Sequence, residues 1–165
     1  MKDLLTELQD TKTDLLQTIT GIEEAKLNTM PFADSWTAAQ VVEHILNAIG
    51  TPMLYEETKA TERDPQEKVK ATANLFLNLG IKMKSPDFIY PSDKKHTKEA
   101  LLKLADSKFT KLIKATEELD LSETCLAFEI PGFGPFTRLE FIWFYVFHTQ
   151  RHIFQLKSIA KILAG

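Results

Sequence analysis

One uninterrupted helical run near the C-terminus sets the scale of anything this chain can fold into. Thr137-Arg138-Leu139-Glu140 has the form of a capping box, in which residues three apart satisfy each other's backbone donors. Phe136 and Phe141 flank the box as a hydrophobic staple. No glycine or proline follows until Gly165, so the spacing predicts a helix from about Thr137 to Leu163. At 1.5 Å per residue that helix is about 40 Å long. Partners of similar length must cover its apolar faces.

Three further helices are expected. In residues 2 to 26, Leu5, Leu8, Leu15, Ile19 and Ile22 recur at three- and four-residue steps. A second capping box, Thr37-Ala38-Ala39-Gln40, opens helix two, with Trp36 and Val41 as its staple. That helix runs through Ile45 and Ile49 until Gly50 and Pro52 weaken it, and it can resume over 54–59. Residues 97 to 119 form helix three, with Leu101, Ala105, Phe109 and Leu112 on its apolar face. Between helices two and three lies a long connection. It holds a short helical piece after Asp64-Pro65 and an ordered loop from Gly80 to Lys95. A connection this long lets helices two and three run parallel. Residues 121 to 135 join helices three and four, with short extended pieces expected around Leu126-Ala127-Phe128 and Phe133.

Composition narrows the class. Glycine is scarce at six residues, which favours helices over a sandwich. The length of 165 residues suits one domain, and the 44% apolar fraction supports a full core. A net charge of -3 with interspersed signs gives no basic stripe, so no nucleic-acid partner is expected. The single cysteine, Cys125, cannot form an internal disulfide. The N-terminus lacks an apolar signal core, and no apolar stretch is long enough to span a membrane. A cytoplasmic, all-α protein is the expectation.

Within the last helix, His148-Thr149-Gln150-Arg151-His152 spaces two imidazoles at i and i+4, on one face and a turn apart. One helix can give two nitrogen ligands to one metal ion at that spacing. The same spacing serves two hydrogen-bonded core histidines. His44 lies among apolar residues about 10 Å into helix two, and His148 and His152 lie about 16 and 22 Å into helix four. Neighbouring helices would bring the three rings to one level. Three imidazoles with an open fourth position suit a catalytic zinc site better than a structural one. Glu43 and Glu140 lack the Glu-x-x-His spacing of di-iron bundles. Glu43 is expected on the helix surface and Glu140 in its cap. His96 is expected to be solvated. Arg151 is expected to pair with a surface acid, and Gln155 to bond across a helix contact. Cys125 has no base near it in sequence to activate it.

Trp36-Thr37, then Glu43-His44, and later the block from His148 to Gln155 resemble the two signature blocks of the DinB-like (damage-inducible, YfiT-like) superfamily. The resemblance implies a four-helix bundle with a long crossover between helices two and three. It implies a divalent metal, zinc or nickel, held by His44, His148 and His152. It also implies a metal-dependent enzyme: a thiol S-transferase of the bacillithiol type or a hydrolase, acting on a small electrophile. A low-molecular-weight thiol would then be a second cofactor. A non-catalytic metal- or small-ligand-binding stress protein is the alternative, and an interaction module a third. No catalytic base is identifiable. Protons compete with metal for imidazole, so affinity is expected to weaken below about pH 6.5. Finally, Leu139 and Phe141 to Phe147 are apolar almost all round, a surplus that the crossover between helices two and three or a second subunit must cover; a homodimer with helix four at or near its interface is the expectation.

Overall fold

The computed structural model describes residues 3–165. Lys2, expected to begin the first helix, lies outside them. Five α-helices carry the described fold: α1 (Leu4–Thr20), α2 (Ala38–Ala48), α3 (Val69–Phe76), α4 (Lys98–Glu118) and α5 (Arg138–Ala164). The four long ones form an all-α four-helix bundle, and α3 sits within the crossover.

Side-chain caps set the helix starts. Asp3 accepts from the Thr6 amide to open α1, and Thr97 accepts from Ala100 to open α4. Both expected capping boxes form, Thr37 with Gln40 and Thr137 with Glu140. The stops are less regular. Helix α1 ends at Thr20 rather than at residue 26, because Gly21 caps it and a separate 3-10 turn, Glu24–Lys26, follows. Helix α2 does not resume after Pro52. The chain makes a 3-10 turn over Thr51–Tyr55, with Leu54 fully buried, and then a two-residue strand β1 (Thr58–Lys59). Gly50 lets α5 come close here: a Cβ at that position would stand 3.1 Å from the Tyr145 hydroxyl.

Strand β1 pairs antiparallel with β2 (Thr124–Cys125), Thr58 opposite Cys125. The extended piece therefore falls just before Leu126, where the Cys125 amide reaches the Phe136 carbonyl.

Cross-bundle bonds fix the directions. Lys12 of α1 meets Asp106 and Thr110 of α4, while Lys98 reaches the Thr20 carbonyl, so α1 and α4 are antiparallel. Gln150 meets Glu7 and Lys157 meets Asp14, so α1 and α5 are parallel. Lys108 binds the Leu46 carbonyl and Tyr55 binds Glu118, so α2 and α4 are parallel, as the long crossover allows. Helices α1 and α2 each pack on α4 and α5. The core between them is built from Leu8, Leu15 and Ile19 of α1, Val42 and Ile45 of α2, Phe109 and Leu112 of α4, and Val146 and Leu156 of α5.

The crossover is packed rather than slack. Helix α3 lies on α5, and a 3-10 turn over Asp87–Ile89 lies on α2. Its anchor is Glu140, fully buried at the start of α5. That carboxylate accepts from the Thr137 amide as expected of its cap, but also from both guanidinium nitrogens of Arg63 and from the Lys68 amide. Among the described residues no helix is long and apolar enough to cross a membrane.

Candidate metal centre

Helices α2 and α5 run antiparallel and bring His44 against both histidines of α5. The Nε2 atom of His44 lies 3.1 Å from Nε2 of His148 and 3.1 Å from Nε2 of His152. All three donor atoms fall within 4.8 Å of one another. Two nitrogens bound at about 2.0–2.1 Å to one zinc would stand about 2.9 Å apart at a right angle and about 3.3 Å apart at a tetrahedral one. The separations from His44 fall between these limits.

The far side of each ring decides what those nitrogens carry. His44 Nδ1 is 3.1 Å from the Ile89 carbonyl oxygen, which can only accept, so Nδ1 holds the proton. His152 Nδ1 is 2.8 Å from the Gln155 side-chain oxygen and donates to it. In a neutral imidazole the opposite nitrogen then presents a bare lone pair. Two such lone pairs converge 3.1 Å apart in His44 and His152, an arrangement that is repulsive unless a proton or a cation lies between them.

The protein discourages the proton. Burial pushes His44 below its ordinary pKa, against the opposing Ile89 bond. Burial and the charges of His152, His44 and Arg151 push His148 well below it. His152 falls to about 4, mainly through burial, with the Gln155 bond opposing and His44 and Arg151 adding to the fall. The donor set therefore fits a divalent cation better than it fits a proton.

Aromatic rings wall the cluster. Trp36 lies 4.9 Å from the His44 ring, and Phe144 lies 5.6 Å from that of His148. On its remaining side the triad opens into a cavity of about 1310 Å³ between α2, α3, α5 and the crossover.

Several residues stand elsewhere than expected. Arg151 meets backbone oxygens in place of the expected surface acid. Its guanidinium donates to the carbonyls of Phe76, Asn78 and Ile81, tying the end of α3 to α5. Gln155 bonds within its own helix, to His152. His96 is not solvated: its Nε2 donates to Glu43 at 2.8 Å, and Asn28 holds its backbone on both sides. Glu43 is correspondingly half-buried. Burial alone would raise its carboxyl pKa, but the bonds from Ser92 and His96 outweigh it and hold the group below its ordinary value. Cys125 is buried, and burial raises its thiol to about 11 against the opposing charge of Arg138, so it offers no thiolate. The sequence reading missed the Ile89 carbonyl, because a backbone acceptor carries no residue signature.

Residues 7–156 match the DinB superfamily, and the chain belongs to it. No curated protein matches the sequence. The fold is similar to that of YfiT from Bacillus subtilis, with a TM-score of 0.63 over 98% of this chain and 86% of that one, at 18% identity. YfiT is described as a probable metal-dependent hydrolase with an unusual four-helix bundle topology. At that identity the likeness is one of fold.

Proposed function

We propose that this member of the DinB superfamily holds one divalent cation, zinc or nickel, on His44, His148 and His152, and is a metal-dependent hydrolase or thiol S-transferase acting on an electrophile. The observation that carries the reading is the pair of bare Nε2 lone pairs fixed face to face by Ile89 and Gln155. Bound there, a divalent cation supplies Lewis acidity and draws down the pKa of a water or thiol at its open position.

The chain's own residues prepare that chemistry. The Ile89 carbonyl and Gln155 hold their imidazoles in the tautomer whose Nε2 faces the centre. Burial keeps the rings neutral and available. Phe144 and Trp36 exclude water from two sides, and the cavity leaves one side open for a reactant. A fully shielded triad would fit the alternative, a non-catalytic metal-binding protein, better. The open cavity favours catalysis.

The test is elemental analysis of the purified chain, then calorimetric titration of metal-free protein with zinc and nickel. About one ion per chain is expected. The absence of binding by either metal would refute the proposal. Hydrolysis and thiol-conjugation assays on a panel of electrophiles then separate the two activities.

A further inference from the structure

The cavity beside the triad is larger than a small electrophile needs. Its volume of about 1310 Å³ exceeds the roughly 300–1,000 Å³ usual for small-molecule pockets. Its walls are chiefly apolar: Met53, Phe76, Phe128, Phe141, Phe144 and Leu75 line it from four different segments. Apolar walls of this extent reward a ligand with a matching apolar body, since binding removes both surfaces from water.

The charged residues that line the cavity are few. Arg151 is committed to three carbonyls of the crossover. Lys82 and Lys84 come from the exposed segment after Gly80, and Asp34 is the acidic residue of the lining. The lysines give the lining an excess of positive charge at its solvent-facing side, where low-dielectric walls focus the field.

We infer that the cavity takes an elongated apolar molecule with one anionic end, an acyl or aryl chain carrying a carboxylate or sulfonate. The apolar body lies along Phe76, Phe144 and Leu75, and the anionic end meets Lys82 and Lys84. That such a molecule is the substrate rests on the metal-centre reading above; that it binds does not.

The probe is 11-(dansylamino)undecanoate, with its neutral primary amide as the control, titrated into the full-length chain and followed by dansyl fluorescence. The acid should bind saturably, one per chain, with blue-shifted emission. Lys82→Glu with Lys84→Glu reverses two exposed charges, and should weaken the acid about tenfold while leaving the amide within about twofold. Leu75→Glu places a carboxylate in the apolar wall and should weaken both probes. If that variant loses its helical circular dichroism, Leu79→Glu, at an exposed lining position, replaces it. His44→Ala should lower metal affinity at least about tenfold, and because it adds no charge to the lining it should leave the preference for the acid over the amide in place, so the two proposals fail separately. The inference is overturned if the acid shows no saturable binding, if acid and amide bind alike with the double reversal changing neither, or if the reversal weakens both equally.

Discussion

Burial, with His152, His44 and Arg151 beside it, makes the His148 imidazole hard to protonate, and His152 follows at about 4. An unfolded histidine titrates near 6.5. Between those values the unfolded chain takes up more protons than the folded one, so stability rises with pH across that window. The metal-free protein should therefore lose stability as pH falls from 7 towards 4. Thermal unfolding at stepped pH reads this directly, and a melting temperature flat over the range would contradict the burial of the rings. The same depression moves proton competition with metal below the threshold near 6.5 that unperturbed histidines would set. For the metal itself, replacing any one of His44, His148 and His152 by Ala should cost at least about tenfold in affinity, and Gln155→Leu about 10–100-fold, because it frees the tautomer of His152. Calorimetry checks both. The i and i+4 spacing put His148 and His152 on one face of a helix, and the resemblance added His44 as their companion; the fold brings the three donor atoms within 4.8 Å of one another. Their supports were not legible in the sequence. Ile89 acts through a backbone oxygen, and Gln155 acts within its own helix, so neither has a spacing signature.

The starts of α2 and α5 were written plainly in the chain, because Thr37 with Gln40 and Thr137 with Glu140 are local devices that need no tertiary context, whereas Asp64-Pro65 opens only a turn and α3 begins at Val69. Helix stops and the crossover were not, because distant partners decide them. Arg63 gave no sequence sign of its role. It reaches across 77 positions to Glu140 and pins the start of the crossover to α5. Lys68 completes the attachment through its amide, and through its ammonium on the Phe133 and Pro135 carbonyls. Glu140→Ala would leave the Arg63 guanidinium and two backbone amides without their acceptor. Arg63 is partly open to solvent, which moderates the loss, and about 3 kcal/mol is expected. Urea unfolding should show it as a lower midpoint at an unchanged slope. Arg151→Ala removes the other tie, three carbonyl bonds at the end of α3. It should raise amide hydrogen exchange across 69–81 while leaving α1 and α4 protected.

On the scale of the whole molecule, the aromatic surplus of α5 finds its cover inside the chain. Phe141, Ile142, Trp143, Tyr145, Val146 and Phe147 are buried, and Leu139 and Phe144 pack against the core. Helices α1, α2 and α3 supply that cover, so the 139–147 stretch is taken up within the chain, and what α5 leaves exposed lies further along, at Phe154 and Ile162. Exposed apolar surface gathers instead at the cavity, where Phe32, Phe88 and Phe154 combine a place in the lining with exposures of 58%, 69% and 56%. A homodimer of this chain should therefore seat itself on that rim. A stable interface needs about 1,000 Å² or more in total, and central aromatic side chains contribute most to it. Sedimentation equilibrium at micromolar concentration tests the placement, against a monomer mass of 18.8 kDa. Phe88→Ser with Phe154→Ser should lower the dimer fraction, whereas Trp143→Phe, inside the bundle, should leave it unchanged. A second copy over the rim would also obstruct the cavity mouth. Saturation with the anionic dansyl probe should then shift the equilibrium towards monomer by mass action. A dimer indifferent to both the rim substitutions and the probe would place the interface on another face of the bundle.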